Sequence, residues 1–432
     1  MRPELARALA AVLLEGAWTP PRMLGRVSRL LGRPPPWARP LLSQLLEVYP
    51  QAPLDRPREL AATVVALPAA ETAGAARPLW HPAAPTRMIR NPWHLPVLHE
   101  LGDVAHLLAL TSGELAWFSD PGHLARATST PALLHYRVST RSSASGGVRV
   151  LEAPKPRLRH LQRRLLAEVL DGVPAHDAAH GFRRHRSVGT YAAPHTGHAV
   201  VIRLDLEGFF ASVTVGRVYG VLRTAGYPEP VAHCLSGLVT TVLPRSAWAT
   251  VPRPADSALL EAHWRLGRRL ASPHLPQGAP TSPALANLAA HHLDVRLSAL
   301  LGTWGGVYTR YADDLALSGT FRAPRLLKAV GQVVTDEGFR FNAAKTAVQP
   351  ASGRQVLGGL VVNVRPHVGR REVDLLRAVL HNCRVHGPST QNREGHPDLR
   401  AHLTGRVSWI AQHDPARGTL LRAQLDAIDW SR

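Results

Sequence analysis

The sequence predicts an α+β fold, and three observations predict it. Stretches of helical period lie near both ends of the chain, short alternating runs lie at 136–154 and 199–206, and Asp313-Asp314 sits between two apolar runs that read as a hairpin. The acid pair is the oddity. The chain carries 51 Lys+Arg against 31 Asp+Glu, a formal charge of +20. Adjacent carboxylates between apolar strands repel and lose hydration unless a cation neutralises them. A divalent metal is the obvious cation, and carboxylate-held metal beside basic surface points to chemistry on phosphates.

At 432 residues and 45% hydrophobic content the chain can bury a substantial core in two or three subdomains. The basic excess favours a polyanionic partner, nucleic acid first and anionic membrane second; an Arg- and Ala-rich proteome is the bland alternative. Two cysteines, Cys234 and Cys383, provide neither a disulfide framework nor a zinc cluster, which fits a reducing cytoplasm. No apolar run is long enough to span a bilayer, so no membrane partner is expected. Glu4 and Glu15 flank the apolar start, which predicts a short amphipathic helix rather than a signal peptide.

In chain order, residues 1–90 read as an N-terminal extension of short helices broken by proline. Ala6–Leu14 and Met23–Leu31 are its helical candidates, and the Pro/Ala-rich stretch from Ala52 to Pro85 reads as linker. More helix is expected from Trp93 to Leu134. Tyr136–Pro154 reads as a hairpin whose Ser/Gly-rich turn carries Arg141. A helix follows with Leu158, Leu161, Leu165 and Val169 as its apolar stripe. Arg163 and Arg164 lie largely off that stripe, available to nucleic acid or merely solvated. Ala199–Leu206 alternates as a strand ending in Asp205, a position that caps a turn or binds metal. Arg370–Arg384 reads as a helix with Val373, Leu376, Leu380 and Cys383 on one face and Arg371, Arg377 and Arg384 free for phosphates. His291, His292 and Asp294 match no good zinc spacing and read as helix residues.

Three segments are candidates to converge: Asp205 to Phe210, Gln277 to Pro283, and Tyr311 to Asp314. A strand-end Asp facing a hairpin-tip Asp pair supplies the carboxylates that two-metal phosphoryl transfer requires. In this order they resemble the palm motifs of reverse transcriptases: Asp205 with Phe209-Phe210, then Gln277-Gly278-Ala279-Pro280-Thr281-Ser282-Pro283, then Tyr311-Ala312-Asp313-Asp314. The resemblance extends from about 130 to 365. It takes in Gly146-Gly147-Val148-Arg149 and His180-Gly181-Phe182-Arg183 before these motifs, and Lys345-Thr346 and Val356 to Asn363 after them.

The resemblance implies a right-hand polymerase with fingers at 91–198, palm at 199–365 and helical thumb at 366–432. It also implies two Mg²⁺ ions bridged by Asp205 and Asp313, with the Leu206 carbonyl completing one site and Asp314 a weaker ligand. Phe210 would be the steric gate that selects deoxynucleotides. Gln277 would contact the incoming nucleotide, and Gly278 would let the backbone approach the base pair. Arg149, with Arg141 or Lys155, would grip the triphosphate. Lys345 is either the acid that protonates the leaving pyrophosphate or an ordinary loop lysine.

With the expected thumb close to the last residue given, no RNase H, maturase or endonuclease domain is expected. The sequence looks most like a bacterial retron reverse transcriptase. Tyr191-Ala192-Ala193-Pro194-His195 lies where that group carries Asn-Ala-x-x-His, and Leu357-Gly358-Gly359 where it carries Val-Thr-Gly. Tyr191 and Leu357-Gly358 depart from those patterns. The resemblance links these segments, Tyr191, His195, Leu357 and Gly359 among them, to recognition of a structured noncoding RNA. It implies priming from an internal 2′-hydroxyl, copying into single-stranded DNA through an RNA–DNA hybrid with dNTPs, and a role in phage defence with an effector protein. The alternatives are another defence-associated or group II-like reverse transcriptase, or an idle RNA-binding protein that keeps the polymerase fold.

Overall fold

The computed structural model describes every residue except 75, 125–127, 129, 143–146 and 432. The described residues form a mixed α+β fold of many helices and small antiparallel sheets. They divide into two compact units, Met1–Pro174 with Phe210–Ala289, and Ala175–Phe209 with Ala290–Arg432.

The first unit opens with a helical module that has its own core. Helices Pro3–Leu14, Pro20–Leu31, Ala38–Val48 and Pro57–Ala66 bury Leu9, Leu13, Met23, Leu30, Leu41, Leu45, Leu60 and Val64 together. The opening helix is buried along nearly its whole length rather than along one stripe. The linker expectation for Ala52–Pro85 is corrected over Pro57–Ala66 and Pro68–Ala73, which are helical. Pro57 starts a helix, because a residue in the first turn has no intrahelical partner for its N–H and proline presets the helical φ. Leu60 and Val64, one turn apart, then face the core.

Glu229 lies 171 residues beyond Arg58, yet its carboxylate accepts the N–H groups of Arg58 at 2.6 Å and Glu59 at 3.3 Å, capping that helix. Arg223 adds an ion pair to Asp55 at 2.9 Å. The module is thereby fastened to helices Val215–Thr224 and Glu229–Val239. The rest of the unit contains helices Leu101–Leu108 and Ser112–Ser119, then the hairpin β1 (Tyr136–Ser142) and β2 (Val148–Pro154). The hairpin's tip, including Gly146, lies outside the described residues. Helix Pro156–Leu165 follows with Leu158, Leu161 and Leu165 buried, and it ends in a π-helical turn that buries Val169.

The second unit centres on a four-stranded antiparallel sheet. Its strands are β3 (Val200–Asp205), β4 (Val307–Tyr311), β5 (Asp314–Gly319) and β6 (Ala347–Pro350), in the order β4-β5-β3-β6. A smaller sheet holds β7 (Val356–Leu357), β8 (Leu360–Val361) and β9 (His367–Val368). Helix Arg370–His386 buries Val373, Leu376, Leu380 and Cys383, the stripe its sequence shows, and packs with helices Leu399–His413 and Pro415–Asp426. No helix among the described residues is long and apolar enough to cross a membrane.

Candidate active site

Register builds the acidic centre of the second unit. β3 pairs antiparallel with β5 so that Asp205 stands directly opposite Asp314, and like charges directly opposite each other destabilise a sheet. β4 and β5 close through Ala312 and Asp313, with Tyr311 paired to Asp314. The Asp313 carbonyl accepts the Leu206 N–H at 2.9 Å, which ties the turn to the end of β3. Asp205, Leu206, Asp313 and Asp314 therefore share one corner of one sheet.

The electrostatics of this corner are strained. Asp314 is pushed up to about 6, first by burial and then by the charges of Asp313 and Asp205; Arg203 and Lys345 only partly oppose this. Asp205 is 7% exposed, and its Oδ1 accepts a hydrogen bond from Lys345 Nζ at 2.8 Å. Lys345 thus pairs with a member of the carboxylate cluster. Among the described residues no group of three or more His, Cys, Asp or Glu side chains stands ready to hold a metal ion. The donor set is nonetheless all oxygen, which suits Mg²⁺, and the raised Asp314 marks negative charge that a cation would relieve.

Two buried pairs hold the corner in place. Arg310, on β4, is fully buried and grips Asp294 with both ends of its fork, Nε to Oδ1 at 2.8 Å and Nη2 to Oδ2 at 2.6 Å. Its Nη1 donates to the Ala312 carbonyl at 3.1 Å, inside the turn that carries Asp313. The Tyr308 hydroxyl donates to the same Asp294 at 2.8 Å. Ala312 itself takes φ +57°, a left-handed conformation that an alanine holds only when its surroundings impose it. Gly181 is part of that surrounding: a Cβ there would meet the Ala312 nitrogen at 2.6 Å.

His195 is the second latch. Thr309 gives its hydroxyl proton to the Tyr191 carbonyl at 3.0 Å, so Thr309 Oγ1 must accept from His195 Nε2–H at 2.7 Å. Nδ1 then accepts from the Ser318 hydroxyl at 2.7 Å. The ring is neutral, pushed down to about 3 chiefly by burial, and it bridges β4 and β5. Tyr191 is buried beside it, with its ring 5.8 Å from that of Tyr311. Leu357 is buried too, while Gly358 and Gly359 make the two-residue turn between β7 and β8 with φ +55° and +85°. A Cβ on Gly358 would strike Val188 at 2.4 Å. That Cβ would also meet the Tyr191 ring at 3.7 Å, so the two segments expected at RNA, 191–195 and 357–359, adjoin each other.

The first unit carries the other expected contacts. Arg149 is exposed on β2 directly across from the exposed Arg141 on β1, a like-charge pair that an anion would relieve. Lys155 departs from its expected partnership with them: its ammonium bonds the carbonyls of Pro131 at 2.7 Å and Ala132 at 3.1 Å. Phe210, Gly278, Arg159 and Arg163 line one open pocket of about 370 Å³. Arg164 is half-buried on the same helix as Arg163. The Gln277 carbonyl accepts the Glu152 N–H at 2.9 Å, joining that loop to β2.

Beneath this junction Glu152 and His274 form a buried pair at 2.8 Å. His274 Nδ1 also donates to the Ser272 carbonyl at 2.7 Å. Burial, the largest single influence, would lower His274, but the hydrogen bond and charge of Glu152 and the bond to the Ser272 carbonyl together raise it. Arg371 and Arg377 are exposed on the Arg370–His386 helix. Phe209 is buried against Phe339 and the Arg310 guanidinium.

Sequence reading missed Arg310, Glu152 and His274, and it placed Asp294 on a helix without finding its partner. One signal was present: Glu152 shares the inward parity of Val150 and Pro154 along β2, and an acid at an inward position needs a buried partner.

Comparisons with known proteins identify the family. The family "Reverse transcriptase (RNA-dependent DNA polymerase)" matches residues 140–361. The Retron Mx65 reverse transcriptase of Myxococcus xanthus is 39% identical over 329 residues, 76% of this chain and 71% of the relative. The Retron Mx162 reverse transcriptase of the same organism is 38% identical over 76% of this chain and 66% of its own length. The Retron Ec86 reverse transcriptase of Escherichia coli is 30% identical over 74% of this chain and 86% of its own. With this much sequence shared, the chain belongs to the bacterial retron-type reverse transcriptases.

Proposed function

We propose that the chain copies a structured noncoding RNA into single-stranded DNA by two-metal nucleotidyl transfer, primed from an RNA 2′-hydroxyl, in antiphage defence beside an effector protein. The observation that carries the chemistry is the Asp205–Asp314 pairing with Asp314 raised to about 6. In this reading β3 to β6 form the palm, the β1–β2 hairpin belongs to the fingers, and the helices from Arg370 to Asp426 form the thumb. Asp205, Asp313, Asp314 and the Leu206 carbonyl would hold two Mg²⁺ ions. When bound, these ions activate the attacking hydroxyl and stabilise the leaving pyrophosphate.

The chain's own residues do the rest. Arg149 and Arg141 hold the triphosphate. Phe210 excludes a 2′-hydroxyl from the incoming sugar, while Gln277 and Gly278 seat the nucleotide. Lys345 carries a proton at Nζ for the leaving group. Arg163, Arg164, Arg371 and Arg377 meet backbone phosphates. The buried Tyr191, His195 and Leu357 act through the shape of the surface that Gly359 exposes.

The test is primer extension. Purified protein with primed RNA, Mg²⁺ and dNTPs is expected to extend the primer, and Asp313→Asn to abolish extension. Wild-type inactivity or an active Asp313→Asn enzyme would remove the proposal. Sequencing of copurified nucleic acid tests the priming: a branched RNA–DNA species supports it, and RNA alone opposes it. A second reading, an idle RNA-binding protein, draws on the Lys345–Asp205 ion pair, since a lysine occupies a carboxylate that a metal would need. Salt-dependent RNA binding without incorporation would favour that reading.

A further inference from the structure

The helical module at the start of the chain lies outside residues 140–361, and one face of it has the composition of a nucleic-acid surface. Helix Pro20–Leu31 contains three arginines and no acid. Arg26 shows what a structural arginine looks like here: it is 7% exposed and donates to the carbonyls of Leu13 at 3.0 Å and Ala17 at 2.9 Å. Arg22 and Arg29 differ. Both are exposed, as is Arg33 just past the Gly32 cap, and none of the three forms an ion pair among the described residues. Arg22 stands in the first helical turn, where the helix dipole disfavours a cation.

Gly25 lies between Arg22 and Arg29 on the same face, at three and four residues' spacing. A Cβ there would meet nothing within 4 Å, so packing inside the chain does not require a glycine at this helix-weakening position. At the C-terminal end of the helix the Leu79 N–H donates to the Leu30 carbonyl at 2.9 Å. This anchors a short segment on which Trp80 remains 42% exposed. Arginines that track a backbone, a bare glycine that admits close approach and an exposed indole on which a base can stack are the parts from which single-strand binding surfaces are built, and the Leu79–Leu30 bond brings the Trp80 segment to the end of this helix.

We propose that the Arg22–Gly25–Arg29 face, with Arg33 and Trp80, docks a single-stranded stretch of the RNA on which the enzyme acts. This rests on the RNA-copying function proposed above: RNA is the polyanion named for the family that the chain matches.

The test uses the full chain with its polymerase site saturated by a short primer–template hybrid. A labelled oligouridylate of about 20 nucleotides, longer than the single-strand sites of about 4–16 nucleotides per binding module, is titrated by fluorescence anisotropy. The triple variant Arg22→Gln/Arg29→Gln/Arg33→Gln is expected to raise Kd about tenfold. It should also flatten the dependence of log K on log salt by about 2, three phosphates at about 0.7 each. Trp80→Ala is expected to raise Kd about fivefold or more with the salt slope unchanged. Lysines at the three positions should restore most of the affinity, which separates lost charge from lost folding, and incorporation on the short hybrid should not change. Unchanged Kd in both variants overturns the proposal. So does intact oligouridylate binding accompanied by loss of a copurifying protein, which would make the face a protein surface.

Discussion

At the scale of single residues, the Asp294–Arg310 pair decides whether the acidic corner keeps its shape. Both side chains are fully buried, and Arg310 reaches the Ala312 carbonyl next to Asp313. Asp294→Ala leaves a buried guanidinium uncompensated and is expected to cost about 3–5 kcal/mol in urea unfolding, with activity lost in parallel. Asp314 gives a signed pH prediction. Its folded value of about 6 lies above its ordinary 3.8, so its contribution is complete below about pH 4 and is lost as pH rises through 6. His195, at about 3, and His180, at about 4, work the opposite way: their contributions are present above their ordinary 6.5 and fade as pH falls. The difference between wild type and Asp314→Asn isolates the aspartate. In chelator, the variant is expected to gain melting temperature relative to wild type between pH 4 and 7. Parallel pH curves would refute this assignment.

At the scale of elements, the β4–β5 turn is shaped from outside. Gly181→Ala would place a methyl 2.6 Å from the Ala312 nitrogen. The variant is expected to lower kcat at least tenfold while costing about 1–3 kcal/mol of stability, the usual penalty of overpacking. Unchanged kcat in a folded variant would show that the turn tolerates displacement. Elements whose signal is local were legible in the sequence: both hairpins, β3, and the buried stripe of Arg370–His386 follow from alternation and helical period. The Pro57–Ala66 helix was not, because proline that starts a helix and proline that breaks one look alike in a Pro-rich stretch. The site divides along the same line. The carboxylates announce themselves by adjacency, but Arg310 and Asp294 sit 16 residues apart and meet only in the fold. His195 was legible as a motif residue, yet nothing local shows that its ring bolts two strands together.

At the scale of the whole chain, each unit holds one free cysteine: Cys234 in the first, pushed up to about 11 by burial, and Cys383 in the core of the second. Buried, protonated thiols react only when their surroundings open. Thiol labelling of single-cysteine variants along a urea series is expected to report two separate openings, one per unit. Coincident labelling at every urea concentration would show that the chain opens as a single cooperative body. The order in which the chain is made gives the Glu229 cap a further consequence. Helix Pro57–Ala66 leaves the ribosome with its first N–H groups unanswered, and the carboxylate that answers them is synthesised 171 residues later. At about 5–20 residues per second, that is a wait of roughly 10–30 s. The amino-terminal helices share a core of their own, so if that core closes during the wait, a ribosome that stalls in the interval leaves it without its Glu229 anchor.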